Sequence, residues 1–142
     1  MSTGAGHLLV RAGERLVGLP LQQTVEVLDP GAAFPVPARE RALRGVTVVR
    51  GRIIPLLHLG ALLDDAPCPP QRGETGVLVD IAGRRLCLEV EAAESVLQDA
   101  PLATAVGTGL PWALAVARTD AGLVPLLDFT ALGARILEAT AA

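Results

Sequence analysis

Arg50-Gly51-Arg52-Ile53-Ile54-Pro55-Leu56-Leu57-His58-Leu59 joins a polar turn to an apolar run interrupted by one proline. A weaker copy returns as Gly122-Leu123-Val124-Pro125-Leu126-Leu127-Asp128-Phe129-Thr130-Ala131-Leu132. Residues 53–62 and 123–132 share Ile/Leu, Ile/Val, Pro, Leu, Leu, a polar residue, Leu/Phe and then Ala-Leu. A repeat of this kind decides the architecture, because both copies must build equivalent units.

The segments before the two copies also match. Gly13-Glu14-Arg15-Leu16-Val17-Gly18-Leu19-Pro20-Leu21 lies against Gly83-Arg84-Arg85-Leu86-Cys87-Leu88-Glu89-Val90, with one residue slipped after Leu16. Both follow apolar runs, Leu8-Leu9-Val10 and Val77-Leu78-Val79, and both lead to an apolar pair, Val27-Leu28 and Val96-Leu97. Two blocks recurring in one order at offsets of 69 to 70 read as an internal duplication.

The chain has 142 residues, so it forms one unit or two very small ones sharing a core. It is 51% apolar yet has no Tyr and only Phe34, Phe129 and Trp112 as aromatics. The longest nearly apolar run, Ile53 to Leu63, is shorter than the ~18 residues a membrane span needs. The first seven residues lack the basic and apolar regions of a signal peptide, which gives a cytoplasmic expectation without membrane insertion. Net charge is −3 and the pI is near 5.3, which argues against a nucleic-acid surface.

Residues 7 to 21 read as a β-hairpin turning at Ala12-Gly13-Glu14. Gln22 to Leu28 is β-branched and is stopped by Asp29-Pro30-Gly31. Pro37 through Arg44, closed by Gly45, carries helix signals, with Pro at the first position and Gly past the end. Val46 to Val49 and Ile53 to Leu57 are strands joined at Arg50-Gly51, and Leu59 to Leu63 is a helical turn. Residues 64–76 are polar and proline-rich and form the joint between repeats. The second repeat supplies Val77–Ile81, Arg85–Val90, Trp112–Ala117 and Leu123–Leu127, then a helix capped by Asp128. Many short strands with little helix make a mainly-β protein, and about five per repeat suggest two small barrels. The expected unit is 7–139, with barrels at about 7–63 and 77–139, a 64–76 linker, and flexible ends at 1–6 and 140–142.

No catalytic set is visible. Serine occurs only at 2 and 95 and histidine only at 7 and 58, so a nucleophile lacks an orienting partner. His58 fills the slot of Asp128 and reads as structural. Cys68 and Cys87 have no neighbours to complete a metal set and read as free thiols. No glycine loop has a strand-loop-helix context for a phosphate or cofactor. Trp112 after Pro111 reads as a core or seam residue. Catalytic, cofactor and metal residues are all expected to be absent, which points to binding or scaffolding.

With the repeat in view, the chain resembles the CheW family of bacterial chemotaxis coupling proteins. The resemblance rests on Gly45 through Leu59 with its Arg-Gly turn, apolar pairs and proline. Val25-Glu26-Val27, Phe34-Pro35-Val36-Pro37 and Leu126-Leu127-Asp128 support it, and together the matches span His7 to Leu137. It implies two five-stranded SH3-like β-barrels around a shared apolar core. It also implies a non-enzymatic adaptor between the regulatory domain of a CheA-type histidine kinase and the cytoplasmic tip of a methyl-accepting chemoreceptor. By position, Arg50 and Gly51 fall at the family's receptor contact, and Thr24, Val25 and Glu26 where its first barrel meets the kinase. Residues alone leave a second role open for Arg50: closing a turn or pinning the barrels together through a carboxylate such as Glu26.

Three departures stand out. His58 replaces the usual Asp, which is expected to cost a helix cap and to let charge vary with pH. Thr24 stands where an apolar residue is common, and Ala113 to Ala117 lacks a glycine usual in that strand. These raise the alternative of a divergent protein keeping only a receptor or only a kinase interface in a specialised motility pathway. A small ligand-binding barrel or enzyme would instead need titratable groups converging in a cleft.

Overall fold

The computed structural model describes residues 6–140, with side chains to residue 136. The expected flexible ends lie almost wholly outside that range. Gly6 is the exception on the N-terminal side: it is buried, and its carbonyl accepts the Leu21 N–H at 3.0 Å.

The first repeat folds as β1 (His7–Ala12), β2 (Arg15–Pro20), β3 (Thr24–Leu28), β4 (Leu43–Val49), β5 (Arg52–His58) and α1 (Leu59–Asp64). The second supplies β6 (Thr75–Ile81), β7 (Arg84–Val90), β8 (Ala92–Leu97), β9 (Leu102–Thr104), β10 (Ala113–Thr119), β11 (Gly122–Leu127) and α2 (Phe129–Thr140). Four hairpins close through two residues, since Ala12 faces Arg15, Val49 faces Arg52, Ile81 faces Arg84 and Thr119 faces Gly122. Arg50-Gly51 and Ala82-Gly83 have positive φ at both positions, the geometry whose twist matches flanking strands.

The fold is mainly β, as expected, but the sheets do not follow the sequence halves. One has the order β8-β1-β2-β11-β10-β9 and the other β3-β6-β7-β5-β4. Each repeat lends its first hairpin to the sheet built by the other's later strands. Two of the joins are parallel and equivalent, Leu126 beside Gly18 and Leu56 beside Cys87, while β1–β8 and β3–β6 join the repeats antiparallel. The physical reason is burial. β1 and β7 strands such as Val10, Leu86 and Leu88 are wholly enclosed, and a ~70-residue half cannot cover that much apolar surface by itself. Exchange places Val10, Val17, Leu19, Leu57, Leu62, Leu86, Leu88, Leu127 and Ile136 in one core spanning both repeats. A smaller core of Ile54, Leu56, Leu78 and Cys87 fills the five-stranded sheet.

Residues 37–44 are not a helix. Phe34 pairs with Val46 as an isolated bridge, and the chain reaches β4 at Leu43. Gly45 is a bulge residue rather than a helix stop. Its φ is +147°, and a Cβ there would sit 2.3 Å from the Phe34 carbonyl oxygen. The close backbone approach, not helix termination, requires glycine. Trp112 is buried in the shared core as a seam residue, with the Arg15 guanidinium 5.2 Å from its ring centre.

Residues 64–76 are no loose joint. Glu89, fully buried, accepts from Arg44 Nε at 2.7 Å, Arg72 Nε at 2.8 Å and the Gly73 N–H at 2.9 Å. Arg44 and Arg72 also donate to the carbonyls of Gln71 and Gly31. A buried carboxylate is tolerable only with its oxygens so occupied, and here it ties the connection to β7.

Candidate functional site

β3 and β4 are the two outer strands of the five-stranded sheet. Glu26 on β3 and Arg50 at the β4–β5 turn therefore face each other across the sheet's open side. Arg50 Nη2 donates to Glu26 Oε2 at 2.5 Å, which latches the curved sheet on itself. Of the roles left open for Arg50, this is the structural one, with a difference: the bond lies within one sheet and does not join the two. The Arg50 guanidinium holds the Glu26 carboxyl below its ordinary value, and the carboxylate raises Arg50 in turn. Arg50 sits at φ +50°, uncommon for a non-glycine residue, and Gly51 at +80°.

The latch brings together residues the sequence assigned to two partners. Thr24, Val25 and Glu26 and the Arg50-Gly51 turn lie at one side of one sheet. Along β3, Val25 and Val27 point to solvent while Thr24, Glu26 and Leu28 turn the other way, as strand alternation requires. Val48 and Ile53 face each other across the β4–β5 hairpin and are both exposed, Ile53 at 73%.

Next to the latch is a cleft of about 270 Å³ lined by Val49, Arg50, Arg52, Ile53, Ile54, Leu78 and Arg85. Its floor is apolar, because Ile54 and Leu78 belong to the small core. Arg85 is held by both oxygens of its cross-strand neighbour Asp80, at 2.5 and 3.2 Å. The sequence reading missed Arg52, Ile53 and Arg85 as site residues. Arg52 and Ile53 lie inside the quoted stretch, but only the parallel β5–β7 pairing brings Arg85 to them.

His58 departs from expectation. It costs no cap: Nδ1 accepts the Ala61 N–H at 3.0 Å, as Asp128 Oδ1 accepts from Thr130 and Ala131 at the start of α2. With Nδ1 accepting, the neutral ring carries its proton on Nε2, 2.9 Å from Glu91 Oε2. The other Glu91 oxygen accepts the Gly13 N–H. His58 thus ties α1 to the crossover between the sheets and to the β1–β2 turn.

A second groove, about 470 Å³, lies at the seam between Leu63, Asp65, Pro111, Trp112, Ala131, Leu132 and Arg135. Arg135 on α2 pairs with the buried Glu40 at 2.9 Å and with Asp65 at 3.2 Å. Cys68 and Cys87 are free thiols, and burial with the nearby Glu89 pushes the Cys87 thiol up to about 12. Among the described residues, no group of three or more His, Cys, Asp or Glu is placed to hold a metal ion, and no helix is long and apolar enough to cross a membrane.

The interlocked β-sheets leave an apolar strand face exposed beside a latched ion pair. A family model, the CheW-like domain, matches residues 6–136, and the chain belongs to that family. The structure is also similar to that of the scaffolding protein TtCheW from Thermoanaerobacter tengcongensis. The TM-score is 0.76 over 92% of each chain at 20% identity, a likeness of fold. Among curated proteins, none matches the sequence.

Proposed function

We propose that this chain is the adaptor that couples a methyl-accepting chemoreceptor to the regulatory domain of a CheA-type histidine kinase. Membership of the CheW-like family supports an adaptor or scaffold role in chemotaxis signalling. The family consists of scaffold proteins rather than enzymes. The site of action is cytoplasmic, at receptor arrays.

The observation that carries the finer reading is the 2.5 Å bond between Arg50 and Glu26. Two large partners cannot both cover one ion pair, so Thr24, Val25, Glu26, Arg50 and Gly51 act as a single interface. The occupant that suits it is the kinase regulatory domain. A β-strand face with exposed Val25, Val27, Val48 and Ile53 is matched by another β-domain, whereas a helical hairpin needs a groove. The alternative is a one-interface form, in which this face serves the kinase and the receptor contact is lost.

The test is calorimetric titration of the purified protein with the regulatory domain of the CheA-type kinase from the same organism. Saturable binding near micromolar, ~8 kcal/mol, is expected. Glu26→Ala and Arg50→Ala, shown folded by circular dichroism, should weaken it to similar extents because each removes the same bond. Absence of binding to a kinase domain that binds another adaptor would sink the coupling role. Binding of the kinase but not of a receptor-tip fragment would establish the one-interface form.

A further inference from the structure

Two of the three arginines that line the cleft are already engaged within the chain. Arg50 spends its guanidinium on Glu26, and Arg85 spends its own on Asp80 in a two-point contact. Arg52 lines the same cleft, is exposed, and forms no ion pair or side-chain hydrogen bond among the described residues. Beside it Ile53 is 73% exposed, above a floor of buried Ile54 and Leu78. A free guanidinium next to an uncovered aliphatic side chain, on a chain of net charge −3, is a local reversal of sign with an apolar hold.

We infer that Arg52 and Ile53 form a specificity subsite for a kinase-domain segment that presents a carboxylate beside an aliphatic side chain. This rests on the kinase reading of the face. Charge complementarity selects the occupant. Arg50 and Arg85 are neutralised by their internal carboxylates, so of the cleft's arginines only Arg52 gains a charge-assisted bond on docking. Such a bond beside an excluded-water apolar contact is the arrangement in which an arginine contributes most to association.

The experiment titrates the same kinase regulatory domain into wild type, Arg52→Ala, Arg52→Glu and Arg52→Lys at 50 and 300 mM salt. All four proteins should keep the same circular dichroism and thermal midpoint, since Arg52 holds nothing in the fold. Expected are about a 10-fold loss for Arg52→Ala, a larger loss for Arg52→Glu, and partial recovery with Arg52→Lys. Wild type should lose more affinity to salt than Arg52→Ala does. A single acidic-to-lysine change in the kinase domain should restore the Arg52→Glu complex. Wild-type binding with Arg52→Glu within 2-fold of it at low salt would overturn the subsite and leave the adaptor reading standing. No wild-type binding would overturn both.

Discussion

The two repeats meet the same structural demands with different chemistry. At the sheet edge, the first repeat latches the β4–β5 turn to β3 through Arg50 and Glu26. The second has Asp120-Ala121 at the turn and Ser95 in place of Glu26, so the two residues of the latch have no equivalent pair there. At the strand-to-helix junction, His58 and Asp128 both cap, but only His58 reaches a further carboxylate. At the end of the exchanged hairpin, buried Glu89 corresponds to Pro20. Features common to both repeats are what the scaffold requires. Those confined to one are local additions, and the latch is an addition on the face we assign to a partner.

The largest break in that symmetry is Glu89→Ala. It would leave Arg44 and Arg72 without their carboxylate in a site only partly open to water, and would release residues 71–73 from β7. Removing one member of a buried ionic cluster costs about 3–5 kcal/mol, and urea denaturation should show a loss of that size. A loss below about 1 kcal/mol would mean that the connection holds itself and that Glu89 is no clamp.

Next is the bulge in β4 and its counterpart in β10. Leu43 and Gly45 face Leu57 and Leu56, and Ala113 and Ala115 face Leu127 and Leu126. Gly45→Ala drives a methyl into the Phe34 carbonyl and forces an unfavourable φ, which should cost about 1–3 kcal/mol by denaturation. The converse change, Ala115→Gly, should cost only the ~0.5–1 kcal/mol of added chain freedom. Equal costs at both sites would show that the Phe34 backbone yields and that glycine is not required.

Much of this was legible in the sequence. The offset of the two apolar-proline runs predicted a duplicated, mainly-β chain of two small barrels, and those runs became β5 and β11. Strand exchange was not legible, because local patterning specifies a hairpin but not the sheet that receives it. Pro37 and Gly45 imitate helix punctuation, and only the approach of Phe34 distinguishes a bulge glycine from a stop. The latch was legible as one option for Arg50. The cleft was not, since Arg52 and Arg85 are 33 positions apart and meet through a parallel pairing between repeats.

The smallest effect separates the latch from the scaffold most sharply. Glu26 and Arg50 are both accessible to solvent, so losing their bond should shift the denaturation midpoint little. Its signature is pH. Folding lowers the Glu26 carboxyl below its ordinary 4.5, so the latch contributes above that value and fades as pH falls through the lower, folded one. Carbon-detected NMR titration should find Glu26 titrating below 4.5 in wild type and moving up in Arg50→Ala. Its acid-side contribution to stability should vanish in Glu26→Gln. If Glu26 titrates normally in the free protein but is depressed once the kinase domain is bound, the bond is made by the partner's arrival. The latch would then be a product of docking rather than a feature waiting for it.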